Sequence, residues 1–273
     1  MSIRRTKAMP RALTIAGSDS GGGAGIQADL KTFSAFGVYG MSAVTAVTAQ
    51  NTLGVQDALQ LPLLLIEKQL RSVVGDIGVD AAKTGMLSSS EVVRLVASLI
   101  RELRIPRLVV DPVMIAKGGH PLLAEEARAT VRDHLLPLAT VVTPNTHEAS
   151  ALTGLRVESL SEMKRAAREL RAAGATWVVV KGGHAETADA IDVVYNGRSF
   201  TELRAIRIAT KNTHGTGCTF SAAIAAGLAK GASPAEAIAK AKAYVTQAIA
   251  TAAPLGRGHG PTNHLVGTTS RWR

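Results

Sequence analysis

Along this chain, short runs of aliphatic and β-branched residues alternate with longer stretches whose apolar positions recur every three or four residues. That alternation is the pattern of parallel βαβ units. A strand is predicted at 12–16, followed by a glycine-rich loop from Gly17 to Gly25 and a helix over 26–36. Further strands are expected at 38–49, 80–84, 107–110, 140–142 and 177–180, and further helices at 63–74, 90–103, 162–173, 219–230 and 234–251. The helix over 90–103 carries Val92, Val93, Leu95, Val96, Leu99 and Ile100 on one broad face, with Ser88 to Ser90 offering N-caps. Gly174 stands where a C-cap glycine would end the helix over 162–173. Residues 190–209 read as a hairpin turning at Asn196-Gly197. No linker or composition break divides the chain. The expected fold is one α/β domain over 12–264, a three-layer α/β/α sandwich with a mostly parallel sheet, between basic tails at 1–11 and 265–273. The N-terminal tail is expected to be flexible. Lys-Gly-Gly-His occurs at 117–120 and again at 181–184, without longer self-similarity around either copy.

Composition narrows the class. With 46% hydrophobic and 19% charged residues the chain is not of the disordered type, and a single Cys excludes a disulfide scaffold while fitting a reducing compartment. No uncharged apolar stretch approaches the ~20 residues of a membrane span. The apolar run after Arg4, Arg5, Lys7 and Arg11 covers only Ala12 to Ala16, whereas a secretory signal has roughly 7–15 such residues. A cytoplasmic protein with no membrane partner is expected. The net charge of +10 suggests nucleic acid, but its distribution does not: the 245 residues between positions 11 and 257 carry 24 basic against 21 acidic side chains. The excess lies on the ends, and the nine aromatics form no stacking platform. Nucleic acid is therefore not expected as a partner, and an RNA-binding role for the tails is kept as a remote alternative.

Ligands of such sheets bind beyond the carboxyl ends of the strands. Those ends carry Gly17-Ser18-Asp19, Gln50-Asn51, Lys83-Thr84-Gly85, Asp111, Asn145 with Glu148, and Lys181-Gly182-Gly183. Gly23-x-Gly25-x-x-Ala28 has the outline of a dinucleotide fingerprint, but no acid follows between Asp29 and Asp57 to bind a ribose. Gly-Lys occurs nowhere, which excludes a P-loop, and neither His-Glu-x-x-His nor paired Cys spacing is present.

The most informative segment is Asn212-Thr213-His214-Gly215-Thr216-Gly217-Cys218-Thr219, leading into a helix of small residues. Glycines before a helix let backbone N–H groups converge where the dipole favours negative charge, so Gly215, Thr216, Gly217 and Cys218 form a candidate anion hole for phosphate. Cys218, in the first turn, is expected to have a lowered pKa; a buried structural Cys is the other reading. Asn145-x-x-Glu148 places an amide and a carboxylate at a helix start, suited to hydrated Mg²⁺, though the same spacing also makes an ordinary N-capped helix.

As a set, these motifs resemble the ribokinase-like superfamily and, more narrowly, bacterial hydroxymethylpyrimidine/phosphomethylpyrimidine kinases of thiamine biosynthesis. The resemblance runs from about Ala12 to His264 through Gly22 to Thr32, Thr48 to Thr52, Asp111 to Met114, Val180 to His184, Lys211 to Thr219 and Gly258 to His264. It implies a ribokinase-like fold and phosphoryl transfer from ATP, with Mg²⁺, to 4-amino-5-hydroxymethyl-2-methylpyrimidine and then to its monophosphate. By matching position it implies that Gln50 hydrogen-bonds the aminopyrimidine in a pocket lined by Gly17, Asp29, Met86 and Val113. Asp111 and Glu148 would organise Mg²⁺ and the ATP phosphates, and Lys181 would neutralise phosphate charge. Cys218 would stand beside the acceptor hydroxyl, where the superfamily usually has Asp as a base. Two departures are visible: Ser20-Gly21 where Pro-Ser is commoner, and Asn145-Thr146-His147-Glu148 in place of a Leu-Pro or Ile-Pro. The nearest alternative is a pyridoxal/pyridoxine kinase on the same fold, against which Gln50 and Met86 favour the pyrimidine. A homodimer is compatible with the sequence, which does not fix the oligomeric state.

Overall fold

The structure is a computed structural model and describes residues 8–116, 119–183 and 189–266. The basic residues at 4, 5 and 7, and His184 of the second Lys-Gly-Gly-His, lie outside these. Among the described residues, nine strands form one sheet in the order β3-β2-β1-β4-β5-β6-β7-β8-β9. These are β1 Arg11–Asp19, β2 Tyr39–Asn51, β3 Gly54–Gln60, β4 Ala81–Thr84, β5 Leu108–Val110, β6 Ala139–Val142, β7 Trp177–Lys181, β8 Asp189–Tyr195 and β9 Phe200–Ile206. The six strands from β2 to β7 run parallel, whereas β3 at one edge and β8 and β9 at the other are antiparallel.

Alternation along the parallel strands sends neighbouring residues to opposite faces. Leu108 and Val110 of β5, and Val178 and Val180 of β7, join one apolar cluster; Val109 and Val179 join the other. The first cluster packs beneath α2 Leu63–Asp76, α3 Ser90–Glu102, α4 Ala127–Thr130, α5 Thr146–Thr153 and α6 Leu160–Ala172. The second packs beneath α1 Gly25–Ala35, α7 Thr216–Ala229 and α8 Pro234–Ala250. The layers are therefore helix, sheet, helix. Every residue of α7 from Thr219 to Ala229 is buried, so its Ala- and Gly-rich sequence reflects close approach to the strands and to α8 rather than an amphipathic surface position.

The 190–209 hairpin is present as β8 and β9, with Gly197 at φ +87° in the turn. Three differences from the sequence reading matter for the site. Strand β1 continues through Gly17 and Ser18 to Asp19, with a register shift between Ala16 and Ser18, so the glycine loop is shorter than expected. Helix α7 begins at Thr216, which places Gly217 and Cys218 inside its first turn and Gly215 at its N-cap. Arg11 opens β1 and binds Asp80 through a 2.9 Å ion pair. No helix among the described residues is long and apolar enough to cross a membrane.

Candidate active site

Because β2, β1, β4, β5, β6 and β7 are parallel, their carboxyl ends lie along one edge of the sheet. All six rim segments identified in the sequence sit there.

The turn after β1 is built by one carboxylate. Asp19 Oδ1 accepts from the Gly21 N–H (2.8 Å), and Oδ2 accepts from Gly23 (3.1 Å), Ala24 (2.8 Å) and His214 Nε2 (2.8 Å). Burial pushes this carboxyl up, but His214 and the amides outweigh it and hold it below its ordinary value. Gly22 at φ +74° and Gly25 at φ +56° let the chain double back. A Cβ on Gly17 would stand 2.9 Å from Met86 Sδ, so these two residues are in contact. Ser20 ties the turn to β2, its hydroxyl accepting from Gln50 N (2.8 Å) and donating to Gln50 O (2.9 Å).

The anion-hole segment closes against this turn. Gly215 takes φ +77°, and a Cβ there would meet Gly23 O at 1.7 Å, so only glycine fits. Thr219 N–H and hydroxyl both return to Gly215 O at 2.8 Å, while the N–H groups of Gly217 and Cys218 have no acceptor among the described residues. These are the orphan donors of a helix N-terminus. Lys181 Nζ lies 3.2 Å from the Cβ position of Gly217, and Asp111 Oδ2 lies 3.8 Å from it.

Asp111, at the end of β5, is almost wholly buried. Its Oδ1 accepts from Lys181 Nζ (3.2 Å) and Thr143 Oγ1 (3.3 Å), and its Oδ2 accepts from Ser221 Oγ (3.0 Å). Burial raises this carboxyl, but Lys181 and Lys83 prevail and it sits below its ordinary value. Lys181 is held above its own: burial lowers it, and Asp111 and Glu148 more than compensate. Thr143 and Ser221 are partners the sequence did not single out. Ser221 lies one helical turn after Gly217, which was the available signal.

Glu148 occupies the N3 position of a capping box on α5: Asn145 N–H donates to its Oε2 (2.8 Å) and its own N–H donates to Asn145 Oδ1 (2.9 Å). The capped-helix reading of this motif thus holds. It leaves the charge uncompensated, because burial pushes Glu148 up to about 7, only partly offset by Lys181.

Two expectations need correction. Asp29 does not line the cleft: it has no solvent exposure and lies beneath the rim, bound by Lys83 Nζ (2.9 and 3.0 Å) and Thr14 Oγ1 (2.6 Å). The Cys218 thiol is not lowered by the helix terminus. Burial pushes it up to about 11; Lys83 pulls down, but Asp29 and Asp111 push further up. Val113 lies two strands from Gly17, beside a small void it shares with Thr84 and Asp111.

A parallel sheet with antiparallel edges, a glycine-capped helix N-terminus facing a Lys–Asp pair, and a polar rim define a ribokinase-like small-molecule kinase. The phosphomethylpyrimidine kinase family matches residues 19–263, and the chain belongs to that family. It is 54% identical over 255 residues to the hydroxymethylpyrimidine/phosphomethylpyrimidine kinase of Streptomyces coelicolor, covering 93% of this chain and 94% of that one. It is 50% identical to the thiamine biosynthesis bifunctional protein ThiED of Geobacter sulfurreducens, but spans only 52% of that protein's length. The ADP complex of Bacillus subtilis pyridoxal kinase superposes with a TM-score of 0.89 at 45% identity, covering 94% of this chain and 98% of that one. Phosphomethylpyrimidine kinase from Clostridium difficile superposes with a TM-score of 0.78 at 44% identity, covering 88% and 99%.

Proposed function

We propose that the chain transfers the terminal phosphoryl group of ATP to the hydroxymethyl group of 4-amino-5-hydroxymethyl-2-methylpyrimidine, and then phosphorylates the monophosphate. The observation that carries this reading is the α7 N-terminus, whose unpaired Gly217 and Cys218 amides lie beside Lys181. Phosphoryl transfer has a loose transition state with charge spread over oxygens, so fixed donors and a cation supply most of the catalysis. Gly215 shapes the cradle, Lys181 neutralises the phosphates, and Asp111 keeps Lys181 aimed. Gln50, Gly17 and Met86 form the acceptor side, with Val113 beyond them. Cys218 stands beside the acceptor hydroxyl as a protonated thiol at neutral pH; a loose transition state needs little base, which makes its raised pKa tolerable.

Mg²⁺ fits the donor set. Among the described residues no three His, Cys, Asp or Glu side chains gather into a metal cage, yet Glu148 is a buried carboxylate without an ion-pair partner, next to Asp111. Two such carboxylates suit a cation that keeps its waters and arrives with ATP, and would hold it where it offsets phosphate charge.

We also read the exposed run Leu59, Leu63, Leu64 and Leu65, on edge strand β3 and the start of α2, as the contact for a second copy of the chain. The test of the activity is ADP release measured with the pyrimidine, its monophosphate and pyridoxal side by side. Turnover of both pyrimidines supports the reading. Preference for pyridoxal would assign the chain to the activity named for its B. subtilis neighbour.

A further inference from the structure

His214 precedes the N-cap of α7 and has no part in the reaction just described. Its backbone is pinned on both sides, N–H to Gly260 O (3.0 Å) and C=O to Thr262 N–H (3.2 Å), and its side chain is mostly buried. Nε2 lies 2.8 Å from Asp19 Oδ2 and 3.3 Å from Gln50 Nε2. Three residues far apart in sequence thus meet at one nitrogen.

Counting protons fixes how the Gln50 carboxamide must stand. The Asp19 carboxylate can only accept, so His214 Nε2 carries the hydrogen between them. A Gln50 nitrogen facing that N–H meets no lone pair. On its other side, Gln50 Oε1 stands 3.1 Å from Thr48 Oγ1, whose single hydrogen is also claimed by Ser18 O at 2.9 Å. Exchanging the amide's oxygen and nitrogen resolves both conflicts. The oxygen then faces the His214 N–H as the longer, 3.3 Å arm of a three-centre bond whose main acceptor is Asp19 at 2.8 Å, and the nitrogen donates to the Thr48 oxygen. One lone pair and one N–H of the amide remain for a ligand, in a fixed left-to-right order.

We propose that His214 is a positioning residue: anchored by Asp19, it locks the Gln50 carboxamide with oxygen toward the imidazole and nitrogen toward Thr48, and so selects acceptor rings that present an exocyclic amine and a ring nitrogen in the matching order. The inference rests on the reading that Gln50 meets the acceptor ring. A 4-oxo ring presents the reverse order, an acceptor beside a ring N–H, and can be paired only by an amide free to turn over.

The experiment compares the 4-aminopyrimidine with its 4-oxo counterpart in the parent and three variants. His214→Phe keeps a ring against Gly23 and Pro261 but has no donor; His214→Gln restores a side-chain N–H at similar reach; Gln50→Ala removes the amide. His214→Phe is expected to raise KM for the aminopyrimidine about tenfold while KM for ATP stays within about twofold. Its amino-over-oxo preference in kcat/KM falls by a similar factor, and His214→Gln recovers most of both. Combined with Gln50→Ala, His214→Phe adds no further rise, because both act through one amide. If Gln50→Ala leaves the acceptor KM unchanged, the placement of the ring against Gln50 fails, and this inference with it. If Gln50→Ala is defective but His214→Phe retains the full amino preference, or raises KM for ATP equally, the positioning role alone is overturned. Should His214→Phe fail to fold, Thr48→Val removes the amide's other anchor, and an unchanged amino preference there overturns the inference equally.

Discussion

Lys83 Nζ lies 2.9 Å from Asp29 Oδ2, and neither side chain has any exposure to solvent. Burial lowers Lys83 and raises Asp29, but each stabilises the other's charge, and Thr14 adds a hydrogen bond to the carboxylate. The pair lies close enough to Cys218 to act on it with opposite signs, Lys83 lowering the thiol and Asp29 raising it.

Neutralising the two partners should therefore move Cys218 in opposite directions. Asp29→Asn leaves the Lys83 charge uncompensated and brings the thiol down from about 11. Lys83→Met moves it further up. A shift of about one unit changes the thiolate fraction about tenfold, so iodoacetamide alkylation at pH 8 should be faster in the first variant and slower in the second. Breaking a buried pair costs about 3–5 kcal/mol, so the measurement belongs at low temperature. Equal directions in both variants would show that the pair does not govern the thiol.

Glu148→Gln should stabilise the fold and weaken the enzyme. The ordinary value of 4.5 rises to about 7 in the folded chain, so the folded state holds this proton more tightly than the unfolded one. The resulting stability is present at low pH and is lost as pH rises through about 7. Gln keeps the capping acceptor but never ionises. Its variant should be more stable than the parent by about 2–3 kcal/mol at pH 8, with the gap shrinking to below about 1 kcal/mol at pH 5. Thermal unfolding at the two pH values measures this. The rate loss should be largest at low Mg²⁺; an equal loss at every Mg²⁺ concentration would remove the metal role.

Gly215→Ala should disable phosphate binding. A side chain there is strained at φ +77° and would overlap Gly23 O, whose Cβ distance is 1.7 Å. Relief requires the glycine turn or the α7 N-terminus to shift. A 1 Å misplacement of preorganised donors costs on the order of 10²-fold in rate. Steady-state kinetics with saturating acceptor should show that loss together with a raised KM for ATP.

Leu59→Asp with Leu64→Asp should dissociate the assembly. Both side chains are more than half exposed, at 69% and 61%. Light scattering should give the mass of a dimer for the parent and of a 28.4 kDa monomer for the variant. A monomeric parent would refute the contact.

Much of this architecture can be read from the sequence, because parallel strands are continuous apolar runs that end abruptly in polar residues. Val109, Val141 and Val179 needed no tertiary information to be placed on strands. Strand β3 escaped because its residues from Gln56 to Gln60 are exposed and only weakly patterned. The short helical turns from Ala127 to Leu138 escaped because none is longer than 5 residues, too short to show a helical repeat. At the site, the local signals singled out Gly217, Lys181 and Asp111, which the fold brings side by side. Cys218 was misjudged because a helix terminus is a local feature, whereas desolvation depends on everything packed around the group; Asp29, placed in the pocket by matching position, is instead paired with Lys83 beneath the rim. His214 lies within the most conspicuous motif of the chain, but its partners are 195 and 164 residues away, a separation that no spacing rule reaches.

The burial of α7 gives the two halves of the cleft different mechanical characters. The phosphate cradle is mounted on a helix sealed between the sheet and α8 from Thr219 onward, so the amide protons of that buried stretch should exchange with solvent only when the whole domain opens. The acceptor side hangs from the end of β2, next to an edge strand that water reaches along most of its length. Fluctuations short of unfolding will therefore loosen the grip on the ring before they disturb the grip on phosphate. Under mild denaturant or heat, such a catalyst becomes careless about what it phosphorylates while still holding its nucleotide.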